Sequence, residues 1–293
     1  TIGNFDGVHL GHQAVIGQLA EKAAELHLPS VLMSFEPYPQ EFFSPAAAVP
    51  RLTRFREKML ALRRYAVDRV LCLRFNQRLA DMPARNFVTE LLVGRLGVSY
   101  LVVGDDFRFG WQREGDFELL REAGEKHGFQ VARMHTVELE GERISSTRIR
   151  AALGQGKLAL AEQMLGRPYR MCGRVAHGDK RGRDLGFPTA NIHLHRMVSP
   201  VNGVFAVELF GVTGEPVPGV ANVGIRPTVN GTQARLEVHL FDFSRDIYGA
   251  HVHVDFLHKI RPERRFDSLQ ELVKQIELDI RDARLFFSGI RDS

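Results

Sequence analysis

Two different patterns of hydrophobic positions divide the chain. Over residues 13–153, stretches with apolar residues three or four positions apart alternate with short, continuous apolar runs. The helical spacing predicts an amphipathic helix over residues 13–26, with Val15, Leu19 and Leu26 on one face. Comparable patterns predict three more helices near residues 55–62, 87–92 and 117–127, and buried strands at residues 31–33, 70–73, 100–103 and 130–134.

Continuous apolar strands between amphipathic helices indicate a parallel sheet that is covered on both faces. Right-handed crossovers between such strands produce a doubly wound, Rossmann-like α/β fold. The dipeptide Thr1-Ile2 fits this pattern as the end of a first strand. We therefore predict a doubly wound α/β domain for the first half of the chain.

A period of two replaces the helical spacing in the rest of the chain. Every second residue is a large apolar one over residues 204–209, 235–240 and 251–256, and glycine and proline separate these runs. This pattern predicts antiparallel strands that close into a small barrel. A final helix is predicted by the S-x-x-E capping box that Ser268 and Glu271 form ahead of an apolar stripe.

Composition narrows the class of protein. The chain has 293 residues, of which 44% are hydrophobic and 25% are charged, and this predicts two globular domains. No apolar run approaches the roughly 20 residues that a membrane-spanning helix needs, so we do not expect this protein to be embedded in a membrane. The formal net charge of +4 is dispersed and does not indicate nucleic-acid binding. Cys72 and Cys172 form no C-x-x-C pair, which excludes a disulfide framework and favours the cytoplasm.

The first candidate site is the segment GNFDGVHLGH, residues 3–12, between the first strand and the first helix. Ligands of open α/β sheets bind at this edge, and a helix N-terminus favours phosphate. His9 and His12 are three residues apart, so both imidazoles could donate hydrogen bonds to a phosphate during attack. An isolated pair of this kind more often only caps a helix, and that alternative remains open.

A second candidate site is ISSTRIR, residues 144–150, which also precedes a helix. Ser145, Ser146 and Thr147 form a natural N-cap sequence, which is a sufficient explanation for the motif alone. The same hydroxyl groups, with the guanidinium of Arg150, would also suit the β- and γ-phosphates of a nucleotide. Taken with the first motif, this one predicts a two-sided phosphate site.

The third candidate site is HGDKRGRDLGFPTAN, residues 177–191, which is dense in glycine and charge. Its glycines allow a loop to wrap around a nucleotide. Thr189 and Asn191 are oxygen donors two residues apart, and on an extended strand both could face Mg²⁺ that is shared with ATP. On composition alone, a glycine-rich hairpin with solvated charges is the simpler interpretation.

Glu237 is the one acidic residue in the strand predicted over residues 235–240. It lies on the face opposite Leu236 and Val238. An acid in this position is usually a surface residue. The alternative is a general base close to a substrate hydroxyl group.

These motifs resemble two known signatures. GNFDGVHLGH is similar to the GxFDxxHxGH signature of nucleotidyltransferases, and ISSTRIR is similar to their second signature. KRGRDLGFPTAN is similar to the GRxLGFPTAN signature of riboflavin kinases. Their combination resembles the bacterial bifunctional FAD synthetases. The resemblance implies an FMN adenylyltransferase domain over residues 1–157, whose first strand begins upstream, then a linker over residues 158–168 and a six-stranded kinase barrel over residues 169–293.

The resemblance also implies two reactions and their partners. Riboflavin would be phosphorylated by ATP to FMN, and FMN would then be adenylylated by ATP to FAD with release of pyrophosphate. Riboflavin, FMN, FAD and ATP are the implied ligands, and Mg²⁺ is the implied cofactor. No nucleic-acid or membrane partner is expected, and the oligomeric state is left open.

Site residues follow from the same resemblance. It implies catalytic roles for Glu237, His9 and His12. In the first domain it assigns ATP to Gly3, Phe5, Asp6, Gly7, Gly11, Ser145, Ser146, Thr147 and Arg150, and FMN to Asp106, Phe107 and Phe109. In the second domain it assigns ATP to Gly178, Lys180, Gly182, Arg183, Gly186 and Pro188, and Mg²⁺ to Thr189 and Asn191.

Other interpretations remain open beside this one. The chain could transfer a nucleotide to a different phosphorylated acceptor, since related folds serve several substrates. It could also be a basic regulator that binds nucleic acid or flavin without turnover. Trp111 is expected to pack in the core, with stacking on a flavin as the alternative. The pairs His193/His195 and His251/His253 have a spacing that zinc could use, but without a third ligand we expect solvated strand faces.

Overall fold

The computed structural model describes residues 1–45, 49–177, 186–228 and 231–289. The chain forms two compact units. The first contains Thr1–Val49 and Thr53–Ser146, and the second contains Pro50–Leu52 and Thr147–Ser293.

The first unit is built from parallel strands and the helices between them. Strand β1 pairs with β2, and β3 pairs with β4, both in parallel. Ile2 forms a parallel bridge to Met33, as expected for the end of a first strand. The strands are β1 (Val31–Glu36), β2 (Arg69–Arg74), β3 (Tyr100–Gly104), β4 (Gln130–Met134) and a hairpin of β5 (Glu138–Leu139) and β6 (Glu142–Arg143). The helices are α1 (Leu10–Leu26), α2 (Pro39–Phe43), α3 (Phe55–Leu62), α4 (Gln77–Ala80), α5 (Ala84–Asn86), a π-helix (Phe87–Arg95), a 3₁₀ turn (Trp111–Arg113) and α6 (Phe117–His127).

Burial explains why these apolar runs become strands. Leu101, Val102 and Val103 of β3 are all almost completely buried, so this strand has no solvent-facing side. A strand buried on both faces is typical of a parallel sheet covered by helices. Its core partners include Phe87 and Leu92 of the π-helix. The prediction of a doubly wound α/β unit is confirmed.

The second unit is a closed antiparallel barrel with the strand order β10-β11-β8-β7-β12-β9. Buried and less buried residues alternate along β11 from Ala234 to Leu240, as the predicted period of two requires, whereas β9 is buried on both faces from Gly203 to Val207. The strands are β7 (Tyr169–Ala176), β8 (Ala190–His193), β9 (Gly203–Phe210), β10 (Val217–Thr228), β11 (Gly231–Leu240) and β12 (His251–Arg261). The helices are α7 (Ser146–Gly154), which begins at the last residue of the first unit, α8 (Leu158–Leu165) and α9 (Leu269–Phe287).

Helix α9 is fixed to the barrel by a buried ion pair. The guanidinium of Arg261, on β12, donates to both carboxylate oxygens of Asp279 at 2.8 and 2.7 Å. Gln275 donates to the same carboxylate at 2.8 Å, and Asp279 is only 4% exposed. The helix begins where predicted, with the Ser268 hydroxyl accepting from the Glu271 N–H at 3.2 Å. As a result, residues on one side of α9 line a barrel cavity that is described below.

The expectation that Trp111 packs in the core is wrong, because its side chain is 47% exposed. Gly110 turns the chain with φ of 77°, and the Trp111 N–H donates to the Met82 carbonyl at 2.8 Å. These features direct the chain outward just after Phe109. Phe109 and its neighbours already fill the core at this point.

Candidate functional sites

The first motif forms a loop whose shape is held by buried hydrogen bonds. One Asp6 carboxylate oxygen accepts from the Thr53 N–H at 2.9 Å and the Tyr38 hydroxyl at 3.4 Å. The Thr53 hydroxyl also accepts from the Gly7 N–H at 2.9 Å. Gly7 has φ of 87°, a left-handed conformation that glycine tolerates best. The Asp6 side chain therefore orders the loop, and its partner Thr53 could not be identified from any motif in the sequence.

His9 and His12 are stacked, with ring centroids 3.7 Å apart and an angle of 18° between the rings. His9 is the N-cap of α1, and its Nδ1 accepts from the His12 N–H at 3.3 Å. Because Nδ1 is the acceptor, a neutral His9 carries its proton on Nε2. The cap thus fixes the ring nitrogen from which His9 can donate.

His12 is held in its neutral form. Burial, and then the charges of His9, Lys58 and Arg143, place the pKa of His12 well below its usual value. Its Nδ1 is buried and has no hydrogen-bond partner within the described part of the chain. A neutral imidazole can still donate one hydrogen bond to a developing negative charge. The predicted role as a donor therefore agrees with the electrostatics of the site.

The second motif lies directly beside the first. The Ser146 hydroxyl, at the start of α7, donates to the Asp6 carbonyl at 2.9 Å. Gly11 lies between the two motifs, because a Cβ atom there would lie 3.2 Å from the His9 ring and 3.7 Å from the Ile144 carbonyl. The imidazole pair and the serine-rich turn thus meet within one unit. Farther along α7, the Arg150 Nε donates to the Pro50 carbonyl at 2.9 Å.

Aromatic residues assigned to ATP and FMN lie partly in the core. The side chain of Phe5 is 2% exposed and packs against Val8, and that of Phe109 is 7% exposed. Phe107 is less buried and stacks on Phe109, with centroids 5.5 Å apart. Phe5 and Phe109 can therefore shape a ligand site mainly through their backbone and through the neighbours they support.

Asp106 is paired with a cation that sequence reasoning missed. Arg143 donates to the Asp106 carboxylate at 2.7 Å. Although burial acts in the opposite direction, this hydrogen bond and the charge of Arg143 hold the pKa of Asp106 below its usual value. Since Arg143 also acts on His12, it connects the segment assigned to FMN with the histidine pair. In the sequence, Arg143 directly precedes the ISSTRIR motif, and this position could have identified it as a site residue.

In the second unit, Glu237 lines a cavity of about 390 Å³ together with Thr189 and Asn191. The register explains this grouping, because Glu237 of β11 lies opposite Asn191 on one neighbouring strand and Asn222 on the other. Leu272 and Ile276 of α9 also line it. The glutamate is therefore a cavity residue and not an isolated surface acid.

Arg235 joins the polar groups of this cavity and was also missed from the sequence. Its Nη2 donates to Asn191 Oδ1 at 2.8 Å and lies 2.5 Å from Glu237 Oε1. Residues 235 and 237 are two apart on β11, so their side chains share a face. Period-two spacing from Glu237 was the signal that could have identified Arg235.

The glycine-rich loop is described only at its end. Gly186 has φ of 87°, and the His239 ring Nδ1 donates to the Pro188 carbonyl at 2.9 Å. Pro188 and Thr189 also line a second cavity of about 190 Å³. Thr189 thus borders both cavities. Gly178, Lys180, Gly182 and Arg183, which were assigned to ATP, lie outside the described residues.

Of the two histidine pairs on the barrel, His251 and His253 lie on β12, whereas β8 ends at His193 and His195 lies beyond it. His193, His195 and His251 are exposed, and His253 is half-buried beside Cys172. Within the described ranges, no three His, Cys, Asp or Glu side chains group closely enough to hold a metal ion.

A parallel α/β unit and an antiparallel barrel, each with its own polar site, place the chain among two-domain nucleotide-dependent transferases. The FAD synthetase family model matches residues 1–148, and the riboflavin kinase family model matches residues 165–287. The chain belongs to the family of bifunctional enzymes that combine these two domains.

Relatives of known name agree along almost the whole chain. The bifunctional riboflavin kinase/FMN adenylyltransferase of Escherichia coli K12 is 53% identical over 98% of this chain and 92% of its own length. The enzyme of the same name from Haemophilus influenzae is 50% identical over 99% of this chain and 94% of its own.

One solved structure is also similar over nearly the full length. A crystal structure described as a macrolide-efflux protein from Streptococcus pneumoniae has a TM-score of 0.81 and 33% identity, and covers 97% of this chain and 92% of its own. Its name refers to efflux. Among the helices that our structure describes, none has the length and apolar character needed to cross a membrane.

Proposed function

We propose that Glu237 and the cavity around it phosphorylate riboflavin, and that His9, His12 and the Ser146 turn convert the resulting FMN to FAD. The observation that carries this proposal is that each unit contains its own assembled polar site. The cavity glutamate lies between Asn191 and Asn222. The imidazole pair lies beside the Ser146 turn.

In the barrel, Glu237 acts as the general base for the ribityl 5′-hydroxyl group of riboflavin. Removal of this proton makes the oxygen a better nucleophile toward the γ-phosphorus of ATP, whose bond to the bridging oxygen breaks as ADP leaves. Arg235 holds the carboxylate through its guanidinium, so the base is oriented before substrate binds. We assign ATP binding to Gly178, Lys180, Gly182, Arg183, Gly186 and Pro188, of which Gly186 and Pro188 are among the described residues.

The oxygen atoms near Glu237 fit a hard divalent cation. Thr189 and Asn191 line one cavity with a hydroxyl and an amide group, and Mg²⁺ prefers few such protein ligands alongside phosphate oxygens. Because Asn191 Oδ1 accepts from Arg235 in this structure, Arg235 would have to release this oxygen before Mg²⁺ binds to it. These two residues would hold Mg²⁺ with ATP. When bound, the ion neutralises phosphate charge during transfer.

In the first unit, the FMN phosphate attacks the α-phosphorus of ATP, and pyrophosphate leaves. A phosphate that is already ionised needs no general base, so His9 and His12 contribute by hydrogen-bond donation. Ser145 and Ser146 hold the β- and γ-phosphates, to which the motif also assigns Thr147 and Arg150, and Gly3, Gly7 and Gly11 allow close approach of the backbone. Asp106 and Phe107 lie on the flavin side.

A product assay tests both activities. With riboflavin, ATP and Mg²⁺, chromatography is expected to show FMN first and FAD later. Removal of Mg²⁺ by a chelator is expected to stop FMN formation, and added Mg²⁺ restores it. Supplied FMN isolates the second step from the first. Persistent FMN without FAD would restrict the function to the kinase, and no consumption of ATP would contradict the proposal.

Replacement of Gly11 by alanine is expected to impair FAD formation selectively. The new Cβ would lie 3.2 Å from the His9 ring, so the ring must shift from its cap position. A displaced donor lowers the turnover of FMN to FAD by about tenfold. Gly17→Ala, on the same helix with no atom within 4 Å of its Cβ, is the matched control and should keep normal turnover. Equal rates for the two variants would contradict this role of Gly11.

We also propose the bounds of the two domains and the location of the protein in the cell. We assign FMN adenylylation to residues 1–157, a linker to residues 158–168 and riboflavin phosphorylation to residues 169–293. A cytoplasmic location is supported by two free cysteines, Cys72 and Cys172.

A further inference from the structure

Lys58 is a completely buried lysine in the first unit. It lies on α3 and has an exposed fraction of 0%. Isolated buried ammonium groups are strongly unfavourable, so a buried lysine is expected to be paired and hydrogen-bonded. Lys58 Nζ donates to the Asn4 carbonyl at 3.0 Å and to the Ser34 hydroxyl at 2.8 Å. The ammonium also lies 4.8 Å from the centre of the Tyr38 ring.

These partners all belong to the structure around the imidazole pair. Asn4 lies in the GNFDG loop, and its carbonyl also accepts from the Ser34 hydroxyl at 3.4 Å. Ser34 is a buried residue of β1. The Tyr38 hydroxyl reaches the Asp6 carboxylate that orders the loop. Lys58 therefore connects the loop that precedes His9 to β1.

We propose that Lys58 is a positioning residue for adenylyl transfer, which holds the Gly3–Gly7 loop against β1 and adds fixed positive charge to the phosphate site. The inference rests on the proposed function of the first unit. Lys58 is completely buried, so it acts through the loop and its charge and not by direct contact with substrate. A fixed positive charge in a site of low polarity stabilises phosphate charge without reorganisation during the reaction.

The charges around His12 provide a readout that packing alone would not change. His9 faces it from the same turn, Lys58 from α3 and Arg143 from β6, and all three act with burial to lower the pKa of His12. The lysine also faces Cys72 of β2, where burial raises the pKa of the thiol despite the nearby cation. Removal of the Lys58 charge should raise the pKa of His12 toward its usual value, while burial, His9 and Arg143 still oppose protonation.

The test compares Lys58→Met with the wild-type chain. Methionine keeps much of the side-chain length and removes the charge and donors. We expect turnover of FMN to FAD to fall by about 10- to 100-fold, as for a misplaced reacting group. Riboflavin phosphorylation in the same protein should be unchanged. Imidazole NMR signals of His12 should begin to titrate at higher pH than in the wild type. Lys126→Met removes an exposed lysine of the same unit and is the control expected to change none of these values.

A second variant, Ser34→Ala, allows the proposal to be tested even if Lys58→Met does not fold. Ser34→Ala keeps the lysine but removes one acceptor, and the loss of one hydrogen bond should lower FAD formation by about fivefold. Wild-type FAD formation in both variants would overturn the proposal. If Lys58→Met does not fold, normal turnover by Ser34→Ala would overturn it alone. An unshifted His12 titration in folded Lys58→Met would refute the electrostatic part. Absence of FAD formation by the wild-type protein would instead contradict the proposed function.

Discussion

Glu237→Gln should reduce riboflavin phosphorylation by about 10²- to 10⁴-fold and leave the conversion of FMN to FAD unchanged. Glutamine has nearly the same shape but cannot accept a proton from the substrate hydroxyl. The neighbouring Arg235, 2.5 Å from the carboxylate, would retain its bond to Asn191. Separate assays with riboflavin and with FMN measure the two activities in one preparation.

The control for this variant is Glu215→Gln, which neutralises an exposed acid in the turn before β10. It should retain both activities. A Glu237→Gln protein that phosphorylates riboflavin at the wild-type rate would remove Glu237 from the mechanism. Loss of both activities, with a lowered melting temperature, would show that the carboxylate has a structural role instead.

His12→Ala should lower FAD formation by about 10²- to 10³-fold, the usual effect of removing a donor to transition-state charge. The imidazole that stacks on His9 at 3.7 Å is lost, and the buried nitrogen that could donate to phosphate is lost with it. The kinase reaction should continue at its normal rate. Chromatography of flavins after incubation with FMN, ATP and Mg²⁺ measures the effect.

His127→Ala is the matched control, because this histidine is exposed at the end of α6. It should form FAD at the normal rate. The pH dependence gives a further check, because the lowered pKa of His12 keeps the imidazole neutral at and below its usual pKa. FAD formation by the wild-type protein should therefore show no loss near pH 6.5 from protonation of His12. Normal turnover by His12→Ala would contradict the assigned role.

The fold could be predicted largely because burial leaves a periodic signal. The runs at β3 and β4 were placed to within a residue, since strands buried on both faces are continuously apolar. Helix α6 was also predicted with the bounds that the structure shows. Trp111 was misplaced because its exposure depends on a local backbone turn after Gly110, and hydrophobicity alone carries no information about that turn.

The sites were predictable where chemistry is concentrated in one segment. His9, His12 and Ser146 were proposed from short motifs at the start of a helix, and the structure brings these motifs together. Their supporting residues come from distant segments, and only the fold brings them together. Lys58 is an exception among these supporting residues, because the sequence carried a signal for it. It lies one helical turn before the buried Leu62, and a lysine on the apolar face of α3 was a signal available from the sequence.

The Arg261–Asp279 ion pair holds α9 on the barrel, and α9 is made late in synthesis. The two sites can therefore form at different times. Leu272 and Ile276 form part of the wall beside Glu237, yet a ribosome adds them only after every barrel strand. Domains tend to fold in the order in which they emerge. The Gly3–Gly7 loop of the first unit can therefore form early, whereas the barrel pocket stays open on one side until α9 has left the exit tunnel.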